Sequence, residues 1–326
     1  MPTNRRKVLV PHTMGEEGVS LLRARDDIET VTYSATITQA DLLPILEDCA
    51  GIALSGTPYR KTEMDASPAM QVVARIGVGY DAVEIPALTA RRVPLMTAGT
   101  ANSVSVAEQA FHMMISLAKR HEALDRMVRA GRWRDRHDGL PTELNGKTVL
   151  IVGFGRIGTR LAKRCLGFDM VVLVRDPYVD AAKIRAAGCE PVGDLDAALP
   201  SVDFVSIHCP KNPETVGMFG AAQFARMKPS AYIVNTARGG IIDERALHAA
   251  LTSGQIAAAG LDVFEAEPTP IDNPLLKLDN VISSPHMAGV TTEAVANMAV
   301  ATAQNILSVL DGKPNRDNVI NKEVLD

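Results

Sequence analysis

The run Val149–Gly158, V-L-I-V-G-F-G-R-I-G, constrains this chain more than any other segment. A short β-branched apolar stretch of this kind reads as a buried parallel strand. It opens into G-x-G-x-x-G at Gly153, Gly155 and Gly158. Glycines at this spacing allow a tight turn, close approach of backbone to a pyrophosphate, and close helix–strand packing. The pyrophosphate would rest on the N-terminus of the following helix, where unpaired N–H groups and the helix dipole favour an anion. A purely structural βα turn is the plainer alternative. Against it stand the preceding strand, a helix-compatible stretch at Thr159–Leu166, and a second apolar run at Met170–Val174 that ends in Arg175-Asp176. Asp176 lies eighteen residues past Gly158, about where an acidic side chain takes the adenosine ribose hydroxyls. Nearly half the chain precedes this fingerprint, so another folded unit must come first.

That first part alternates short apolar runs with helical stretches. Strands are expected at Val8–Val10, Ile28–Tyr33, Gly51–Leu54, Val72–Ile76 and Val93–Met96. Helices are expected at Glu16–Arg25, Gln39–Asp48 and Ile85–Arg91. Such alternation implies a parallel sheet with both faces covered. The small, polar stretch Thr97–Ser103 suits a hinge. A long helix follows from about Val104 to His121, with Ser105 and Glu108 at capping-box spacing. Its wide apolar face should be buried. The charged arm Glu122–Asp138 holds the only tryptophan, Trp133. It reads either as a solvated surface helix or as a subunit-clasping arm.

A second αβ series occupies residues 145–287. Its strands are expected at Phe204–His208, Ala231–Asn235, Ile256–Asp262 and Val281–Ser283, and its helices at Val179–Ala187, Asp194–Leu199, Ala221–Met227 and Asp243–Ser253. A last helix, Thr291 to about Leu310, should return the chain to the first domain. The pattern therefore predicts a Rossmann-type doubly wound parallel sheet domain at 103–290. It is inserted into a smaller flavodoxin-like α/β domain formed by 1–102 and 291–326.

Composition excludes several other classes. A net charge of −4 without a basic stripe argues against a nucleic-acid partner. No apolar stretch approaches the roughly 20 residues needed to span a bilayer, and no signal peptide is evident at the N-terminus. The four cysteines, Cys49, Cys165, Cys189 and Cys209, show no C-x-x-C spacing. They read as reduced thiols of a cytoplasmic protein without a metal cluster.

Open parallel sheets hold ligands outside the carboxyl ends of their strands, so candidate residues are sought just after strands. Arg238 follows Y-I-V-N among small residues and glycines. Its guanidinium can grip a carboxylate with two prongs and stays charged at any working pH; the plain alternative is a surface ion pair. Asp262 ends an apolar strand and is a candidate to touch a nicotinamide. Glu265 and Glu267 follow it in F-E-A-E-P, and spacing alone does not choose between them. His286 follows Ile282-Ser283-Ser284-Pro285. It and His208 are the histidines at predicted strand ends. A lone histidine is more often structural; beside an arginine and a glutamate it becomes a natural acid–base.

Taken with Arg75–Asp81 (R-I-G-V-G-Y-D), Ser103–Glu108 (S-V-S-V-A-E), Asn235–Gly240 (N-T-A-R-G-G), Gly260–Pro268 (G-L-D-V-F-E-A-E-P) and Ser284–His286 (S-P-H), the chain resembles the D-isomer-specific 2-hydroxyacid dehydrogenases over essentially its whole length. This is the family of D-lactate, D-glycerate and D-3-phosphoglycerate dehydrogenases. The resemblance implies hydride transfer between NAD and C2 of a small 2-hydroxy or 2-keto acid, such as hydroxypyruvate, glyoxylate or a 3-phosphoglycerate-like acid. It assigns the acid–base to His286, its partner to Glu267 rather than Glu265, and substrate binding and polarisation to Arg238. Cofactor contacts are implied at Gly153, Gly155, Arg156, Ile157, Gly158, Asp176, Cys209, Pro210, Thr236, Ala237, Asp262, His286, Ala288 and Gly289. Substrate contacts are implied at Ser55, Gly56, Val78 and Gly79, which places the acid in a cleft that hinges near residues 100 and 290 would close. Asp176 favours NAD by repelling a 2′-phosphate, while Arg175 beside it leaves NADP possible.

Leu54 stands where phosphoglycerate dehydrogenases tend to carry an arginine, and Arg60, Lys61 and Arg75 are the other cations near that loop. No regulatory domain of the kind some of those enzymes append is expected. A homodimer through the 104–140 helix and arm is expected. The competing readings are an NAD-sensing, corepressor-like scaffold without turnover, and phosphite or formate oxidation. Glu267 disfavours the formate branch, where glutamine is typical.

Overall fold

In the computed structural model, which describes residues 5–326, the apolar runs become parallel strands in two separate sheets. The chain divides into two units: one holds the chain up to Asn102 together with Val290–Asp326, the other holds Ser103–Gly289.

The first unit has a five-stranded sheet of order β2-β1-β3-β4-β5, from β1 (Arg6–Pro11), β2 (Ile28–Tyr33), β3 (Cys49–Leu54), β4 (Val72–Arg75) and β5 (Leu95–Met96). That order is the flavodoxin-like one. Every residue of β3 is buried, as a central parallel strand covered on both faces requires. The helix Thr292–Leu310 belongs to this unit. Its Ala299, Ala303 and Ile306 lie in one apolar cluster with Val8, Val10 and Ala53. Its backbone meets the helix Glu16–Arg23 so closely that a Cβ on Gly18 would fall 2.2 Å from the Ala299 carbonyl oxygen. A short helix at Lys61–Asp65 was not expected from the sequence.

The second unit has seven strands: β6 (Thr148–Val152), β7 (Val171–Arg175), β8 (Glu190–Pro191), β9 (Phe204–Ile207), β10 (Tyr232–Asn235), β11 (Ala258–Leu261) and β12 (Val281–Ser283). Their order is β12-β11-β10-β9-β6-β7-β8. The direction of winding reverses at β6, as in a Rossmann sheet, and the crevice at such a reversal is where dinucleotides bind. Separate apolar clusters cover the two faces. The two-residue edge strand β8 was not expected.

One expected cap is absent. The long helix begins at Ser103 and ends at Lys119, so Ser105 lies inside it, buried, and Ser105–Glu108 is no capping box. Glu108 instead pairs with Arg164 at 2.7 Å. Arg120, at φ 52°, breaks the helix before His121–Arg129. That second helix buries none of its residues. The other expected elements are present, some with unchanged ends and the rest with ends moved by one to three residues, most often inward.

Candidate active site

The glycine fingerprint follows β6, where neighbouring strands bring three loops to one level. Val152 lies opposite Arg175 on β7 and Ile207 on β9. Gly153 has φ 98°, and a Cβ there would sit 2.7 Å from the backbone of His208 and Cys209. A Cβ on Gly158 would come 2.0 Å from the Gly153 carbonyl oxygen. Gly155, between them, would meet nothing within 4 Å. Two glycines are thus forced by packing, and the middle one leaves open space before the N-terminus of the helix Gly158–Leu166. A pyrophosphate fits such a cradle. Asp176 Oδ2 accepts a bond from the Phe154 N–H at 2.8 Å, which ties the acidic residue to the glycine turn. Ile157 precedes the helix, and Arg156 lies exposed beside Gly155.

After β9, Ser206 Oγ lies 2.8 Å from His208 Nε2. Burial holds the His208 imidazole down to about 3, so it is neutral at working pH. Burial also pushes the Cys209 thiol up to about 11. Cys209-Pro210 follows β9 directly after His208, with the Cys209 backbone against Gly153. The four cysteines are free. Among the described residues no group of three or more metal-ligating side chains is assembled, and no helix is long and apolar enough to cross a membrane.

The second focus lies across β10, β11 and β12. Asn235, Leu261 and Ser283 are in register on these adjacent strands, so the loops carrying Arg238, Glu267 and His286 leave one sheet edge at one level. In the first loop the buried Asn235 side chain closes the turn, accepting from the Ala237 N–H at 3.0 Å and donating to the Arg238 carbonyl at 2.9 Å. Gly239 is required: a Cβ there would fall 1.7 Å from the Phe264 carbonyl oxygen. The Arg238 loop therefore presses, backbone on backbone, against the loop that carries Glu267. Thr236 is buried, and its Oγ1 has no partner among the described residues. Such an orphan polar atom just past a strand end suits a polar ligand.

His286 Nδ1 lies 2.7 Å from Glu267 Oε2. Glu267 Oε1 accepts from the Phe264 N–H at 3.0 Å, which fixes the carboxylate. Glu265 faces elsewhere, accepting from the Glu244 N–H at 2.9 Å. The choice that spacing left open is made by geometry: only Glu267 reaches the imidazole. His286 itself stands at φ 55°, in the left-handed region. Asp262, Ala288 and Gly289 flank it, and the Ala288 N–H donates to Asp262. Sequence reasoning passed over Asn235 and Ser284; both stood inside quoted motifs, but a short polar side chain gives no local sign of the backbone it will hold.

In the other unit, Ser55 and Gly56 follow β3, and Val78 and Gly79 follow β4. Arg75 Nε donates to the Gly79 carbonyl at 2.7 Å and Nη1 to that of Leu54 at 3.2 Å, so its guanidinium joins these two loops. Arg60 is exposed, and the exposed Lys61 pairs with Asp65 at 2.6 Å.

Comparison with known proteins identifies the family of the chain. Residues 111–288 match the model of the D-isomer specific 2-hydroxyacid dehydrogenase, NAD binding domain. The chain is 37% identical over 313 residues to D-3-phosphoglycerate dehydrogenase of Archaeoglobus fulgidus, covering 96% of this chain and 59% of that protein. It is 35% identical over 323 residues to glyoxylate reductase of Korarchaeum cryptofilum, covering 98% of this chain and 97% of that protein. The fold superimposes on D-lactate dehydrogenase from Aquifex aeolicus, complexed with NAD and lactic acid, with TM-score 0.85 and 26% identity, covering 96% of this chain and 99% of that one. The chain spans less than two thirds of the length of the D-3-phosphoglycerate dehydrogenases it matches, between 49% and 59% for the first four. With the fingerprint, the sheet orders and these matches together, the chain belongs to the D-isomer specific 2-hydroxyacid dehydrogenase family.

Proposed function

We propose that this chain is an NAD-dependent oxidoreductase that interconverts a small D-2-hydroxy acid and its 2-keto acid. The observation that carries the reading is the 2.7 Å contact of His286 Nδ1 with Glu267, at the sheet edge that also carries Arg238. When bound, the nicotinamide supplies or accepts the hydride. The residues of the chain handle the proton and the charge. Glu267 holds Nδ1, which leaves Nε2 to pass a proton to or from the oxygen on C2. Arg238 anchors the acid and stabilises negative charge that develops on that oxygen. Backbone N–H groups at Val78 and Gly79, with Ser55 and Gly56, are proposed to receive the substrate carboxylate. Gly153, Gly155, Arg156, Ile157 and Gly158 would hold the pyrophosphate and Asp176 the adenosine ribose. Cys209, Pro210, Thr236, Ala237, Asp262, Ala288 and Gly289 would line the remainder of the cofactor.

Asp176 supports NAD over NADP, because its charge opposes a 2′-phosphate. The relatives named above support glyoxylate or a 3-phosphoglycerate-like acid, hydroxypyruvate is a further candidate of the same class, and Leu54 weighs against phosphate recognition. A second copy of the chain is proposed to cover the arm, since Val128, Trp133 and Leu140 are exposed there at 56%, 64% and 72%.

A panel of 2-keto acids assayed by NADH absorbance, each repeated with NADPH, tests the reading. At least one small keto acid should be reduced, with NADH giving the higher kcat/KM. His286→Ala should lower kcat at least about 100-fold and leave NADH binding nearly intact. Wild-type turnover in that variant would remove His286 from the chemistry.

A further inference from the structure

Asp262 is 1% exposed and follows β11 directly. Its carboxylate accepts from Ser284 Oγ at 2.5 Å and from the Met287 N–H at 2.8 Å on one oxygen, and from the Ala288 N–H at 2.9 Å on the other. Its carbonyl accepts from the His286 N–H at 2.8 Å. Four donors from the five-residue stretch 284–288 thus converge on one residue. From the helix Ser103–Lys119, Gln109 Nε2 reaches Ser284 Oγ at 3.4 Å.

From this convergence we propose that Ser284 and Asp262 act as a brace, with Ser284 as a positioning residue that sets the pose of His286. The inference rests on the acid–base role given to His286 above. A histidine at φ 55° occupies a basin that non-glycine residues enter only when their surroundings compel it. Left to itself, His286 would relax towards the right-handed or extended region and swing its ring away from Glu267. Here Ser284, two residues before it, and Met287 and Ala288 after it are pinned to a buried carboxylate, so the fold itself holds the backbone. Three donors on one carboxylate supply the local compensation that a buried charge demands. The hydroxyl of Ser284 fixes the start of the loop, and the two N–H groups fix its end. Pre-organisation of this kind removes reorientation of the imidazole from the chemical step.

The test compares Ser284→Ala, Ser284→Thr and His286→Ala in the full chain. Four quantities are measured: kcat with the best keto acid, Kd for NADH by fluorescence, thermal midpoint, and the ring-nitrogen NMR signals of ¹⁵N-labelled histidine. Ser284→Ala should lower kcat about tenfold, with NADH Kd within about twofold and the thermal midpoint within about 2 °C of wild type. Its His286 signals should show a mixture of ring environments in place of one. Ser284→Thr keeps the hydroxyl and should restore both kcat and signals. Wild-type kcat with unchanged His286 signals in Ser284→Ala would overturn the brace. So would a loss of kcat matched by equal losses of NADH affinity and thermal stability, which would mark a general loosening. Should His286→Ala retain full turnover, it is the acid–base reading that fails; a collapse in His286→Ala beside an unaffected Ser284→Ala sinks the brace alone.

Discussion

Single residues decide whether this site exists, and glycines do so by what they lack. Gly239 has no room for a side chain against Phe264. Gly239→Ala is expected to lower stability by about 3 kcal/mol, at the upper end for overpacking, and to reduce activity by parting the Arg238 and Glu267 loops. Urea unfolding with kinetics on the surviving folded protein checks both. His208 gives a pH signature. Its imidazole is held down to about 3 in the folded chain, against an ordinary value of 6.5. Between these values the unfolded chain binds a proton that the folded chain refuses, so stability rises with pH and is lost as pH falls below about 6.5. The slope from this group approaches about 1.4 kcal/mol per pH unit. A His208→Gln variant should show a shallower fall in unfolding free energy between pH 6.5 and 5; an identical slope would show that His208 does not carry the effect.

At the scale of elements, the placing of short strands depends on partners far away in sequence. β5 is two residues long, too short to be specified by its own pattern. It is held by the C-terminal segment. Thr97 N–H donates to the Asn318 carbonyl, and Ile320 N–H donates to that of Leu95, both at 2.9 Å. Asn321 is 2% exposed; it accepts from the Leu95 N–H at 2.8 Å and donates to the Val93 carbonyl at 3.0 Å. Asn321→Ala would leave two buried backbone groups unpaired, at a cost of about 2–3 kcal/mol. Amide exchange should report the damage at Leu95 first, ahead of the central strands β1 and β3.

For the whole molecule, the arm raises the question of assembly. The helix His121–Arg129 has no fully buried residue, only Glu122, Ala123, Leu124 and Met127 being partly covered, and its Arg129–Asp125 ion pair is exposed. Exposed pairs contribute roughly 0–1 kcal/mol, and a nine-residue helix is marginal in isolation. The second copy proposed above would supply the burial this helix lacks. Light scattering of the wild-type chain should give twice the monomer mass of 34.9 kDa. A Val128→Glu/Trp133→Glu pair should shift it to the monomer, with the reverse charge change Arg129→Glu as a control that disturbs little apolar surface. A monomeric wild type would assign the arm to solvent.

Much of this protein was legible one segment at a time. Strands such as Ile28–Tyr33 and Val281–Ser283, the switch into a helix at Gly158, and the candidates Arg238 and His286 all follow from apolar runs, glycines and strand ends within about ten residues. Local backbone preference and periodicity are encoded at that range. Other features were out of reach of any local rule. Spacing does not separate Glu267 from Glu265, which the resemblance alone told apart, Ser105 looks like a cap until three-dimensional packing starts the helix at Ser103, and Asp262 holds a loop that begins twenty-two residues later at Ser284. These outcomes turn on which buried donors meet which acceptors once the strands are in register. Such meetings are fixed by tertiary packing, because each buried polar atom must find its partner wherever the fold has carried it.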